Sequence, residues 1–223
     1  MSTILITGAN RGIGLALVRH YRERGDQVIG VCRTGSAALA ASGARVEAGV
    51  DVTDGAAVAA LAGRLAGQAI DVLILNAGIL EREPRDGVDE AGFDAMRRQF
   101  EVNALAPLRV TQALAGNLGP GARIGIITSR MGSIADNGSG GYYGYRASKA
   151  AVNAIGRSLA VDLKARGIAV FLLHPGHVAT DMVGGTGDIQ PAQAAANLVA
   201  RLDSLGLEQS GSFWHANGSP LPW

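Results

Sequence analysis

Residues 3–25 read TILITGANRGIGLALVRHYRERG, and this stretch decides the predicted fold. The first five residues, Thr3–Thr7, form a short run rich in β-branched side chains, which is typical of a strand. Apolar positions in 13–24 recur at helical spacing and predict a helix that ends at Gly25. A glycine-rich turn between a strand and a helix indicates a nucleotide-phosphate site, because glycines let the backbone approach a pyrophosphate and the helix N-terminus favours anions.

The spacing of this turn is Gly-x-x-x-Gly-x-Gly, which differs from the commoner Gly-x-Gly-x-x-Gly pattern. We therefore base the phosphate-site interpretation on the flanking strand and helix. An ordinary βα turn is the alternative interpretation.

The alternation of strand and helix continues along the whole chain. Further strands are predicted at 27–32, 45–52, 70–75, 123–128, 168–173 and 211–214. The long helix predicted over 91–116 contains Pro107, which favours a kink because it removes a backbone hydrogen bond. This order predicts an α/β fold, a single domain over 1–223 with a Rossmann-type doubly wound parallel sheet of about seven strands and helices on both faces.

Composition excludes several classes of function. The formal net charge is +1, so no basic surface for nucleic acid is indicated. Cys32 is the only cysteine, which excludes an intrachain disulfide and suits a reducing cytoplasm. We see no signal peptide, no apolar run as long as a membrane span and no metal-binding pattern, so a cytoplasmic protein without a metal is expected.

The end of the second predicted strand bears on cofactor choice. An acid there would bind the ribose 2′-hydroxyl of NAD, but the chain offers Cys32 and Arg33 and no Asp or Glu before Glu47. Arg11 projects from the nearby glycine turn. Two guanidiniums suit a 2′-phosphate, so NADP(H) is favoured over NAD(H). The alternative is that Arg33 is a solvated loop residue.

Residues 140–155, GGYYGYRASKAAVNAI, place Tyr145 and Lys149 four residues apart at the start of a predicted helix. Residues at this spacing lie on one face, so the ammonium is expected to lower the phenol pKa from about 10 toward neutrality. A phenol of this kind can act as a general acid and base. Lysine is rare, since Lys164 is the only other one, and this favours a specific role for Lys149. The alternative is an ordinary surface pair of little energetic value.

Several short polar or glycine-containing segments follow predicted strands. They are Asp51-Val52, Asn76-Ala77-Gly78, Ser129 and Pro175-Gly176. The carboxyl ends of parallel strands lie at one edge of a sheet, where ligands bind in folds of this class. We therefore expect these segments to meet in one cleft.

Taken together, these residues resemble the short-chain dehydrogenase/reductase family. The matching motifs are 7–14 (TGANRGIG), 76–78 (NAG), Asn103, Ser129, Tyr145-x-x-x-Lys149 and Pro175-Gly176 with Thr180. Within the family, 129–134, 140–146 and the closing Pro-Trp are similar to the C-factor and sniffer-type carbonyl reductase branch.

The resemblance implies an NADPH-dependent oxidoreductase that interconverts a carbonyl compound and an alcohol. Tyr145 would be the proton donor, Ser129 would bind the carbonyl oxygen, Lys149 would lower the Tyr145 pKa, and Asn103 would hold a relay water. The implied cofactor-binding residues also include Tyr145 and Lys149, and the others are Gly8, Asn10, Arg11, Gly12, Ile13, Gly14, Arg33, Asp51, Val52, Asn76, Ala77, Gly78, Pro175, Gly176, Val178 and Thr180.

Two other functions remain open at the level of sequence. Resemblance to C-factor suggests a dinucleotide-binding signalling protein with little turnover. A sugar-nucleotide epimerase is less favoured because the chain lacks room for a separate substrate domain. The family also implies a small-molecule partner and a homodimer or homotetramer.

Overall fold

The computed structural model describes residues 1–84 and 87–223. Within these residues the strands form one seven-stranded parallel sheet in the order β3-β2-β1-β4-β5-β6-β7. The strands are β1 (Thr3–Thr7), β2 (Gln27–Val31), β3 (Arg45–Glu47), β4 (Val72–Leu75), β5 (Arg123–Ile127), β6 (Ala169–His174) and β7 (Phe213–His215).

Helices connect the strands. They are α1 (Gly12–Glu23), α2 (Ala37–Ala40), α3 (Gly55–Arg64), α4 (Glu90–Phe100), α5 (Ala106–Ala113), α6 (Tyr143–Lys164) and α7 (Pro191–Ser204). A π-helical segment, Glu101–Leu105, joins α4 to α5, and short 3-10 turns lie at Ala115–Asn117, Arg130–Gly132, Asp181–Val183 and Leu207–Gln209.

The strand order reverses beside β1, and this reversal positions the site. The chain runs outward from β1 through β2 to β3, and then returns to β4 on the other side of β1. Ile6 of β1 pairs with Gly30 on one side and Ile74 on the other. The carboxyl ends of β1 and β4 therefore flank the crevice where open α/β sheets bind ligands.

Two apolar cores cover the two faces of the sheet. One core contains Leu61 of α3, Val110 of α5 and Val152 of α6, packed on strand residues such as Leu73. The other contains side chains of α1, α2 and α7, including Leu17. Continuous burial of β4 and β6 follows from this arrangement, because a central parallel strand is covered on both faces.

The predicted α/β fold with a doubly wound parallel sheet is confirmed, and the differences are local. β3 ends at Glu47, earlier than the predicted strand 45–52, because Gly49 has a φ of +77° and so cannot continue an extended strand. The helix predicted over 91–116 is divided by the π segment before Pro107, which lies in the first turn of α5. No helix within the described ranges combines the length and apolarity needed to cross a bilayer.

Candidate active site

Tyr145 and Lys149 lie in the first two turns of α6, and both are buried. Tyr145 is 8% exposed and Lys149 is 5% exposed. The Lys149 ammonium lies 5.7 Å from the centre of the Tyr145 ring and donates a hydrogen bond to the backbone oxygen of Ile127 at 3.0 Å. The pair is therefore part of the protein interior, and the surface-pair alternative is wrong.

The predicted lowering of the Tyr145 pKa is not what the structure shows. Burial raises the pKa of Tyr145 to about 12, and the interaction with the Ser129 side chain only partly opposes this shift. The Lys149 ammonium donates to the Ile127 carbonyl rather than to the phenol oxygen, so it does not offset the effect of burial on the Tyr145 pKa. Burial also lowers the pKa of Lys149 to about 8. The protein alone thus keeps the phenol neutral, and it makes the Lys149 ammonium give up its proton more readily than an exposed lysine does.

Ser129 is presented to Tyr145 by a tightly packed turn. Its hydroxyl oxygen accepts a hydrogen bond from the Met131 N–H at 3.1 Å and so caps the turn Arg130–Gly132. A Cβ on Gly132 would lie 2.7 Å from the backbone carbon of Lys149, so only glycine allows this turn to rest on α6. The close contact brings the hydroxyl that follows β5 beside the phenol of α6.

Asn103 lies inside the π segment and ties two parts of the site together. Its amide accepts from the Ile79 N–H and donates to the Ile79 carbonyl, both at 2.9 Å, and also donates to Ser148 Oγ at 3.0 Å. Ser148 in turn donates to the Tyr145 carbonyl oxygen at 2.8 Å. π-Bulges are frequent at functional sites, because the extra residue redirects a side chain and a backbone carbonyl.

The glycine turn has the geometry of a phosphate cradle. Gly8 and Gly12 have φ values of +67° and +54°, which side-chain-bearing residues rarely adopt. A Cβ on Gly14 would collide with the Gly8 carbonyl oxygen. The start of α1 is therefore held against the end of β1, and the free N–H groups of a first helical turn are donors that suit a phosphate.

Asn76 supports this turn. Its Nδ2 donates to the carbonyl oxygens of Thr7 and Gly8 at 3.0 and 3.2 Å, while Thr7 Oγ1 accepts from the N–H groups of Asn76 and Ala77 at 3.0 and 3.1 Å. Thr7 was not predicted as a site residue. A threonine ending a strand directly before the first glycine is the signal that points to this role.

The candidate 2′-phosphate region lies at the carboxyl ends of β1 and β2. Arg33 is 76% exposed in its side chain and lies 3.9 Å from Asp51, while Arg11 pairs with Asp181 at 3.0 Å with both side chains exposed. The Thr53 hydroxyl lowers the pKa of Asp51 by donating a hydrogen bond to it. Exposed ion pairs of this kind are weak, so both guanidiniums can turn to an anion at little cost.

The remaining predicted cofactor residues line the same edge. Asn10 accepts a hydrogen bond from Ser36 through its carbonyl at 2.8 Å, and Val52 and Ala77 line a small cavity with Thr7. After β6, Pro175 is buried and Gly176 has φ of +95°. Val178 pairs with Ile189, and Thr180 approaches the glycine turn, since its Cγ2 would lie 3.5 Å from a Cβ on Gly12. Ile13 and Gly78 lie next to these groups, at the start of α1 and after β4.

Comparisons with known proteins identify the family of the chain and several relatives. A family model described as short chain dehydrogenase matches residues 2–190. The chain is 45% identical to the 1-hydroxy-2-glutathionyl-2-methyl-3-butene dehydrogenase of Rhodococcus sp. (strain AD45) over 100% of both chains. It is 42% identical to the C-signal protein of Myxococcus xanthus over 69% of this chain and 93% of that protein. The structure of an NADPH-bound carbonyl reductase from chicken fatty liver matches with a TM-score of 0.89 at 30% identity, over 100% of this chain and 99% of that one.

Proposed function

The chain belongs to the short chain dehydrogenase family, and from this premise we propose that it is an NADP(H)-dependent oxidoreductase that interconverts a carbonyl compound and an alcohol. The observation that carries the proposal is the placement of Ser129, Tyr145 and Lys149 together, beside the segment 76–78 that packs on the glycine turn. Asn103 ties the segment after β4 to the same helix.

The residues present fit a dinucleotide. The Cβ collision at Gly14 and the positive φ values of Gly8 and Gly12 describe a backbone built to approach a pyrophosphate. Arg11 and Arg33 would hold a 2′-phosphate, and no acidic side chain follows β2 where NAD would need one. The NADPH named in the related carbonyl reductase structure supports the same choice.

Tyr145 and Ser129 would act on the carbonyl oxygen of the substrate. Both hydroxyls are held in place by packing, so they are organised before the substrate arrives. NADPH, when bound, supplies the hydride for the carbonyl carbon. Because the pKa of Tyr145 is about 12, the phenol carries its proton at pH 7 and can donate it to the oxygen as the alcohol forms.

Lys149 would supply a positive charge that favours this proton transfer. Its pKa of about 8 leaves it mostly protonated at pH 7, so a buried cation lies near the phenol as it loses its proton. In the direction of alcohol oxidation the same groups would accept the proton at higher pH. Reduction of the carbonyl compound to the alcohol thereby takes up one hydride and one proton, and oxidation releases them.

The test is NADPH oxidation against a panel of aldehydes, ketones and quinones. We expect turnover with at least one class, tighter binding of NADPH than of NADH, and a loss of about 10²–10⁴-fold in Tyr145→Phe. Absence of turnover with the whole panel in the wild type would contradict the proposal.

A second substrate class is favoured by the relative from Rhodococcus. Its name gives an alcohol that carries a glutathionyl group, and the identity of 45% extends over both complete chains. We therefore propose adding hydroxylated glutathione thioethers with NADP⁺ and NAD⁺ to the panel. Oxidation of such a conjugate, with no oxidation of the alcohol lacking the glutathionyl group, would assign this class.

A signalling role without turnover has less support. A protein that only binds a dinucleotide does not require Ser129, Tyr145 and Lys149 to be buried side by side. We also propose that the chain forms one domain over 1–223 and assembles as a homodimer or homotetramer. The exposed Phe93 and Phe100 of α4 and Val161 of α6 are apolar enough to support such an interface, and sedimentation of a monomer would contradict it.

A further inference from the structure

Two buried amides four residues apart hold the segment that follows β4. Asn103 exchanges two hydrogen bonds with the backbone of Ile79. One helical turn earlier, Gln99 is fully buried, accepts from the Glu81 N–H at 3.0 Å and donates to Glu83 Oε1 at 3.0 Å. Residues at i and i+4 share one helix face, so the two amides form a ladder against 79–83.

Glu83 extends this ladder to the catalytic helix. The side chain is buried, with 9% exposure, and its Oε1 also accepts from the Gly144 N–H at 3.1 Å. Gly144 is the second residue of α6 and directly precedes Tyr145. The N–H groups of a first helical turn have no partner inside the helix, and this one receives its acceptor from a distant segment.

The usual local cap is missing at this helix start. Tyr142 occupies the N-cap position in the left-handed region with φ of 52°, and its side chain makes no capping hydrogen bond. Glu83 Oε1 is therefore the acceptor that the structure provides for the Gly144 N–H. A carboxylate at this position also suits the positive end of a helix.

Gly144 shows how closely the parts fit. A Cβ at this position would collide with Glu83 Oε1 and would lie 2.7 Å from Gln99 Nε2 and from Met96 Cγ. The start of α6 thus packs closely on the buried face of α4, and the side chains of Glu83 and Gln99 lie at the contact. This contact fixes the position of the first turn of α6 relative to Ser129 and Asn103.

We propose that Glu83 and Gln99 are positioning residues that fix the first turn of α6 and thereby the Tyr145 phenol. They act through hydrogen bonds to the Gly144 and Glu81 backbone and do not touch the reacting atoms. The consequence for turnover rests on the proposed oxidoreductase function, whereas the consequence for the helix start does not.

The structural arm of the test is amide hydrogen exchange of the full chain over 142–150. Glu83→Ala should increase exchange at this helix start, and Glu83→Gln, which keeps the Oε1 acceptor, should not. Glu90→Ala is the matched control, because Glu90 is an exposed glutamate at the start of α4. Unchanged exchange in Glu83→Ala would overturn the proposal whether or not the enzyme turns over a carbonyl compound.

The kinetic arm uses a carbonyl substrate found in the panel. Misplacement of the phenol should lower kcat of Glu83→Ala by about 10–100-fold while the KM for NADPH stays within about twofold. Glu83→Gln should restore kcat to within about threefold of the wild type, and its pH–rate profile should match. Equal damage in Glu83→Gln and Glu83→Ala would overturn positioning by the hydrogen-bond acceptor, and an unaffected kcat in Glu83→Ala would overturn the link to catalysis.

A second variant distinguishes a loss of positioning from a general folding defect. Gln99→Leu removes the amide that bonds Glu81 and Glu83 but leaves the Glu83 carboxylate and its bond to Gly144. We expect a smaller increase in exchange at 142–150 than in Glu83→Ala, with a parallel loss in kcat. A Gln99→Leu protein that matches the wild type in both measurements would exclude Gln99 from the positioning unit.

Discussion

Replacing Lys149 with methionine should stabilise the folded protein while abolishing its proposed activity. Burial lowers the pKa of Lys149 from 10.5 to about 8, so folding is penalised whenever the unfolded lysine is protonated. The folded state binds fewer protons than the unfolded state between these values, and stability therefore rises with pH across the window. Methionine fills similar space without a charge.

The two pKa values set the size of the effect. Linkage gives a penalty of about 3 kcal/mol at pH 7 and about 2 kcal/mol at pH 9 for a pKa change from 10.5 to about 8. Loss of the bond from Lys149 to the Ile127 carbonyl offsets about 1 kcal/mol. Lys149→Met should thus be more stable than the wild type by about 2 kcal/mol at pH 7 and by about 1 kcal/mol at pH 9.

Urea unfolding at both pH values measures this difference, provided that the m-values agree. Lys164→Met is the matched control, because Lys164 is the other lysine of the chain, lies at the end of the same helix and is 56% exposed in its side chain. The control should change stability by less than about 0.5 kcal/mol at either pH. A Lys149→Met protein that is less stable than the wild type, or whose advantage does not shrink at pH 9, would refute the reasoning about burial.

Three further predictions follow from the same structure. Arg33→Asp should weaken NADPH binding by about 10–100-fold and leave NADH binding nearly unchanged, as titration of both dinucleotides would show; equal losses would contradict a 2′-phosphate contact. Gly14→Ala should abolish dinucleotide binding and lower stability by about 2 kcal/mol, because its Cβ meets the Gly8 carbonyl; normal binding by calorimetry would contradict the cradle. Burial lowers the pKa of His174 from 6.5 to about 3, so this group should lower the free energy of unfolding of the wild type by about 2 kcal/mol between pH 7 and pH 5. The stability of His174→Asn should fall correspondingly less over the same range. Parallel pH–stability curves of the two proteins would contradict the shift.

Sequence patterns predicted the fold because strand, glycine turn and helix are each local signals. The residues after β1, β4, β5 and β6 could also be placed at one edge, since the carboxyl ends of parallel strands meet there. The collision of a Cβ on Gly14 with Gly8 agrees with what the glycine spacing predicted.

The pKa of Tyr145 could not be predicted in this way. Helical spacing placed Lys149 on the same face, but the direction of the shift depends on burial and on where the ammonium points. Both are set by long-range packing, because Ile127 belongs to β5 and lies 22 residues away in the chain. The link from Glu83 to Gly144 spans 61 residues and leaves no local pattern in either segment.

The central claim is that the Tyr145 phenol donates the proton in carbonyl reduction. Its most direct test is the single-turnover rate of NADPH oxidation by wild-type and Tyr145→Phe protein saturated with the same carbonyl substrate. We expect the variant to bind NADPH as tightly as the wild type and to oxidise it about 10²–10⁴-fold more slowly. A Tyr145→Phe protein that oxidises bound NADPH at the wild-type rate would contradict the account.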